Sequence, residues 1–196
     1  MGMFDGVLLA SDYDGTLRGN TLRVLERDIE AIRRFQAEGG RFVVTTGRSY
    51  AAFYQQAKLL PLLSPVLLSN GATFCDMATG ETLFTHNLPL RAAEDMAEVA
   101  RQFPEVAFET YYGEEIYCYQ PNHHTEFHMR LVESSYIECP PWEMPTPWLK
   151  VLLEGEREDL EQIQKLILER WSAFYECIFS SVNLLELTGK NVHKGA

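Results

Sequence analysis

The feature that most constrains this chain is a pattern met three times, in which a short apolar run gives way at once to polar, turn-forming residues. Val7-Leu8-Leu9-Ala10 leads into Ser11-Asp12-Tyr13-Asp14-Gly15-Thr16, and Phe42-Val43-Val44 leads into Thr45-Thr46-Gly47-Arg48. Pro65-Val66-Leu67-Leu68 leads into Ser69-Asn70-Gly71. Runs this short and without alternation read as strands buried on both faces. Between them, residues 24–35 place apolar side chains at helical spacing and stop at Gly39-Gly40, and a second helical stretch covers residues 50–60. Strand, helix, strand, helix, strand predicts a parallel sheet with right-handed crossovers. In open α/β sheets ligands bind at the carboxyl ends of the strands. Asp12, Asp14, Thr46 and Asn70 are therefore expected to converge. A single polar strand end marks only where a buried strand meets solvent. Two carboxylates at one end and a hydroxyl at the next go beyond that.

From Phe74 the texture changes. Phe74–Asp76 and Thr82–Thr85 around Ala78-Thr79-Gly80 read as a hairpin, and Ala92–Phe103 as a helix. Val106–Thr110, Glu115–Tyr119, Trp148–Leu153 and Ser180–Leu187 read as strands, with an amphipathic helix over Leu160–Trp171. Antiparallel strands with helices predict an α+β module inserted into the first sheet. The expected organisation is a core over residues 1–86, an inserted cap over 87–189, and the start of a returning core segment over 190–196.

A chain of 196 residues forms one large domain or two small ones. Its net charge of −11 disfavours nucleic acid and anionic membrane surfaces as partners. Cys75, Cys118, Cys139 and Cys177 lie too far apart for a zinc ribbon or a disulfide framework and are expected as reduced thiols. Met1–Gly6 has no basic segment followed by an apolar one, and no run approaches the ~20 apolar residues of a bilayer span. The cytoplasm is the expected location.

Asp12-Tyr13-Asp14-Gly15-Thr16-Leu17 carries the most chemistry. On extended backbone the two carboxylates are expected on opposite sides, so that a turn is needed to bring both to one site. One carboxylate can then attack phosphorus while the other handles protons and a magnesium ion relieves their repulsion. An isolated acidic pair before a glycine is more often a turn or helix cap. The full segment directly after an apolar strand is far more specific.

This segment resembles the first motif of haloacid dehalogenase-type phosphatases. Thr45-Thr46-Gly47-Arg48 is similar to the second motif of the Cof-type branch, Ser69-Asn70-Gly71-Ala72 to its N-G-A turn, and Val192-His193-Lys194-Gly195-Ala196 to its lysine-bearing third motif. The resemblance implies a Rossmann-like α/β core with an inserted α+β cap, acting as a magnesium-dependent phosphatase on a small phosphomonoester such as a sugar phosphate. It implies Asp12 as nucleophile through an aspartyl-phosphate, and Asp14 as the acid and then the base. Thr46 would hydrogen-bond a phosphoryl oxygen, and Lys194 would offset its charge. Gly47, Arg48 and Asn70 would bind the substrate, with Arg48 either touching the phosphate or pairing with a carboxylate. Asp12 and the Asp14 carbonyl would hold Mg2+. The family's fourth motif, G-D-x-x-N-D or similar, is not found, which implies weak activity for these 196 residues alone and an open strand edge prone to homodimer formation.

The rival readings are a sugar phosphomutase with the same covalent chemistry and a non-catalytic binding protein. A response-regulator receiver is the third, and it would need an Asp where this chain has Ser69-Asn70. His123-His124-Thr125-Glu126-Phe127-His128 is read as a polar cap loop, with a metal cluster through His124 and His128 as the alternative. Trp142 and Trp148 are read as cap packing.

Overall fold

The computed structural model describes residues 2–19 and 23–195. Met1 and Ala196, the ends of the expected segments, lie outside the described residues. The chain divides into two compact units, Met1–Thr85 with Gly195, and His86–Lys194 with Ala196. Among the described residues no helix is long and apolar enough to cross a membrane.

The first unit contains β1 (Leu8–Asp12), α1 (Glu26–Ala37), β2 (Arg41–Thr45), α2 (Tyr50–Ala57), β3 (Val66–Leu68), β4 (Thr73–Cys75) and β5 (Thr82–Thr85). A single 3-10 turn, Ser69–Gly71, separates β3 from β4. The sheet order is β1-β2-β3-β4-β5. β1, β2 and β3 run parallel, and β4 and β5 antiparallel. The expected α/β class holds. α1 buries Ile29 and Ile32 and carries Glu26 and Asp28 in its first turn with Arg34 in its last, the arrangement a helix dipole favours. α2 opens on Ser49, whose hydroxyl accepts from the Ala52 amide. Phe42, Val44, Phe53, Val66 and Leu68 form the core with Tyr13 and Ile32.

One expectation fails here. β1 is not buried on both faces, for Leu8 is 62% and Leu9 47% exposed. Among the described residues β1 is the edge of its sheet and has β2 as its one paired neighbour. The run's apolarity therefore exceeds the cover that the described residues provide.

The second unit contains α3 (Ala92–Gln102), β6 (Ala107–Tyr112), β7 (Glu115–Tyr119), α4 (His123–Val132), β8 (Ile137–Glu138), β9 (Val151–Glu154), α5 (Arg157–Trp171), β10 (Tyr175–Ser181) and β11 (Leu184–Gly189). Its sheet has the order β10-β11-β9-β6-β7-β8, antiparallel throughout except for β7 and β8. Met96 and Val99 of α3 and Leu160, Ile163, Ile167 and Trp171 of α5 pack on Phe108, Val151, Leu153, Leu185 and Leu187. Tyr111, Ile116 and Leu152 form a separate, smaller cluster with Met129 of α4. Alternation along β6 and β9 puts Glu109, Lys150 and Glu154 in phase with that second cluster rather than with the large one.

Two further expectations are corrected. The residues expected as one strand, Ser180–Leu187, belong to two, β10 and β11, joined at Val182-Asn183. Ser180-Ser181 ends β10 instead of opening a strand, and the Asn183 side-chain Nδ2 donates to the Gly155 carbonyl at 2.9 Å. His123–His128 is not a loop but the first half of α4. Asn122 accepts from the His124 and Thr125 amides, and the Thr125 hydroxyl accepts in return from the Asn122 amide. This is a capping box with Thr in the place usually taken by Glu or Gln, which hides it from a motif reading.

Candidate active site

The strand register brings the polar ends of the parallel strands to one edge. Asp12 lies opposite Thr45, and Thr45 opposite Leu67. Beyond β1 the chain turns back on itself. The Leu17 amide donates to the Asp12 carbonyl at 3.2 Å, and the Arg18 amide to the Tyr13 carbonyl at 2.8 Å. Gly15 sits at φ +77°, a left-handed conformation that costs a side-chain-bearing residue energy.

Tyr13 anchors the turn. It is 1% exposed, meets Phe53 edge-on at 5.1 Å, and donates its hydroxyl to Gln56 Oε1 at 2.9 Å. Burial raises its pKa, against the opposing pull of Arg18 and Arg48, so the phenol stays a donor. With Tyr13 turned inward, the residues on either side face away from the core. The expectation that Asp12 and Asp14 separate on extended backbone used the wrong period, since residues i and i+2 share a face. The turn is needed for their height above the sheet, not for their side.

Asp14 is clamped from two directions. Arg48 meets it in a bidentate pair, Nε to Oδ2 at 2.8 Å and Nη2 to Oδ1 at 3.0 Å. Arg18 Nη1 adds a contact to Oδ1 at 3.2 Å. Arg48 is itself fixed, donating from Nη1 to the Ala52 carbonyl at 3.1 Å and lying 5.5 Å over the Tyr13 ring. Of the two roles expected for Arg48, pairing with a carboxylate is the one described. Arg18 and Gln56 were not singled out from sequence. The spacing Asp14-x-x-x-Arg18 was the signal for the first, and nothing local marks the second.

The second and third polar ends interlock. Thr46 is 1% and Asn70 5% exposed. The Thr46 amide donates to the Leu67 carbonyl at 2.9 Å, its hydroxyl accepts from the Arg48 amide at 3.2 Å, and its carbonyl accepts from the Asn70 amide at 3.0 Å. A Cβ at Gly47 would stand 3.0 Å from Asn70 Oδ1, so this close approach of two loops calls for glycine. Asn70 is held at φ +58°, a conformation Asn tolerates better than most residues.

Arg48 thus joins Asp14, and Thr46 and Gly47 join Asn70, while Asp12 lies in register beside Thr45. Lys194 falls in the span of the second unit and is exposed. His124 and His128 do not share a site. His124 Nε2 lies 3.2 Å from Glu156, whereas His128 Nδ1 lies 3.0 Å from Glu109. Burial pulls the His128 pKa down, but the carboxylates of Glu109 and Glu154 facing the ring outweigh that and raise it to about 9.

The sequence profile of haloacid dehalogenase-like hydrolases matches residues 9–196. The chain belongs to this family. Similar solved structures include a haloacid dehalogenase-like hydrolase of Bacteroides thetaiotaomicron, 23% identical with a TM-score of 0.82, the match covering 96% of this chain and 73% of that one. Another is a subclass IIB sugar phosphatase of the superfamily, 19% identical with a TM-score of 0.77 and covering 96% of this chain and 72% of that one. A Buchnera aphidicola protein provisionally named a phosphatase is 23% identical over 193 residues, 96% of this chain and 71% of that protein. The structural matches confirm the fold expected from the strand order.

Proposed function

We propose that this family member is a phosphatase that hydrolyses a small phosphomonoester, such as a sugar phosphate, through an aspartyl-phosphate on Asp12. The observation that carries this reading is the paired disposition at the end of β1. A partly buried Asp12 stands in register with Thr45 while Asp14, two residues on, is held by Arg48 and Arg18. The phosphatase names of the two relatives above agree with it.

In the first step an Asp12 oxygen bonds to phosphorus as the bond from phosphorus to the leaving oxygen breaks, and Asp14 gives that oxygen its proton. In the second, water attacks phosphorus, Asp14 takes the water's proton, and Asp12 leaves with inorganic phosphate released. The Thr46 hydroxyl hydrogen-bonds a phosphoryl oxygen, with Gly47, Arg48 and Asn70 lining the phosphate's approach and Lys194 offsetting its charge.

The Asp12 carboxylate and the Asp14 carbonyl are hard oxygen donors of the kind Mg2+ takes, and they would hold it. When bound, the ion neutralises charge between Asp12 and the phosphoryl oxygens. Two donors from the described residues would leave the ion's remaining positions to water and substrate. Residues 87–189 carry the choice of leaving group, with a small phosphorylated metabolite as partner. The test is phosphate release from a panel of sugar phosphates, with magnesium and with a chelator. Turnover that ignores the chelator, or persists in a folded Asp12→Asn protein, refutes the reading.

A further inference from the structure

The second unit holds a buried cluster that the phosphatase reading does not use. Glu109 projects from β6, Glu154 ends β9, and His128 descends from α4. Their ligand atoms all lie within 4.8 Å of one another. His128 Nδ1 is 3.0 Å from Glu109 Oε2 and 3.2 Å from Glu154 Oε1. Both carboxylates are 0% exposed and His128 is 8% exposed.

Carboxylates at this depth are normally matched by donors. Glu109 is matched, since the Tyr111 hydroxyl donates to one of its oxygens and the His128 ring meets the other. Glu154 is not. Neither of its oxygens has a hydrogen bond of adequate geometry among the described residues, although the Thr125 hydroxyl borders it. The reason is arithmetic at one atom. Nδ1 carries at most one proton, and it faces two carboxylates. Lys150 Nζ lies 3.4 Å from Glu186 and 4.6 Å over the Tyr111 ring. Counted within the triad itself, a proton on His128 leaves a net charge of −1. A divalent cation with neutral imidazole leaves none, and it would contact all three groups at once.

We propose that Glu109, His128 and Glu154 bind a divalent transition-metal ion, Zn2+ before others, inside the second unit. The 3.0 and 3.2 Å separations approach the ~3.3 Å between ligands of a tetrahedron with ~2.0 Å bonds. One imidazole nitrogen beside two carboxylates suits Zn2+ or Mn2+ and disfavours Mg2+, which prefers an all-oxygen shell. Tyr111 stands behind Glu109 and orients it, as partners behind metal ligands do. The capping box that starts α4 fixes the helix from which His128 reaches the sheet. The ion would tie α4 to β6 and β9.

The experiment is a zinc titration followed by dialysis and elemental analysis. It uses the full chain carrying Asp12→Asn and His124→Ala, which removes the magnesium donor and the exposed His123–His124–Glu156 group. One retained equivalent is expected. Adding Glu154→Gln, nearly isosteric, should weaken binding by more than the roughly 10–100-fold lost when a partner behind a ligand is removed. No retained zinc in the parent, or unchanged zinc in folded Glu154→Gln, overturns the site and leaves the triad held by a proton alone. Should Glu154→Gln fail to fold, Co2+ loaded into the parent decides. The strong visible absorption of a four-coordinate ion supports the site, and a purely octahedral spectrum overturns it.

Discussion

In the first unit, polar groups stand at the ends of three parallel strands, charged at the first two, and the Asp14 side chain is still 48% exposed within its arginine pair. In the second, Glu109 and Glu186 lie within β6 and β11 while Lys150 and Glu154 bracket β9 between them, so all four come from the central strands of a largely antiparallel sheet, and all are buried. The difference follows from strand direction. Parallel strands need crossover helices on their faces, which leaves only the carboxyl ends for polar groups that must meet a ligand. An antiparallel sheet has a free second face, and here that face carries ionised side chains under a short helix. Charge at a strand end can be solvated and can do chemistry. Charge in mid-sheet must be paired on the spot, and it determines stability first.

The comparison breaks most sharply at Asp12. Asp12→Asn is expected to cut kcat by about 10⁴-fold or more, since it removes the attacking atom. Its melting curve should stay close to the parent's, because Asp12 lies at a strand end. Near-normal turnover would end the assignment, and a large loss of stability would show that strand-end charge supports the fold.

Next comes Lys150→Met in the second unit. Lys150 is 3% and Glu186 6% exposed, so the change takes the lysine cation away from a buried carboxylate and is expected to cost about 3–5 kcal/mol in urea unfolding. Replacing both partners with apolar residues should recover most of that. The same pair gives a pH signature. Burial pushes the Glu186 pKa up, but Lys150 and Ser180 more than offset it, so the folded value lies below the ordinary 4.5. A lowered folded pKa gives stability that is present above about pH 4.5 and lost as pH falls through the folded value. The acid slope of the melting temperature should flatten in the double replacement. An unchanged slope would place the titrating group elsewhere.

Arg48→Ala should be milder, lowering kcat by roughly 10–100-fold through loss of the clamp on Asp14. Arg48→Lys should restore little, because one ammonium cannot reproduce the bidentate contact. Full rescue by lysine would mean that charge alone matters there. Smallest of all is Lys165→Ala on the surface of α5. Its exposed pair with Glu169 should be worth no more than about 0.5 kcal/mol, and a larger loss would erase the contrast between buried and exposed pairs.

The parallel half of the fold was legible because its strands are short, apolar and closed by turn residues, so that period and punctuation agree. The polar strand ends were legible for the same reason. β10 was hidden because Ile178 breaks the polar side of its alternation and the segment follows a helix without a Gly or Pro stop. α4 was hidden because its capping box uses Thr. Arg48 against Asp14 and His128 against Glu109 and Glu154 join residues far apart in sequence, and no local pattern marks such partners. Glu109 falls inside an expected strand and Glu154 just past one, and nothing in either segment marks the other as its neighbour.

The central claim is that Asp12 carries the phosphoryl group. It is tested most directly in an Asp14→Asn protein given magnesium and p-nitrophenyl phosphate, whose leaving group needs no proton. Without its base the second step should stall, and peptide mass spectrometry after an acid quench should find the phosphoryl adduct on Asp12 and nowhere else. Phosphate release with no adduct, or an adduct on another residue, would contradict the account.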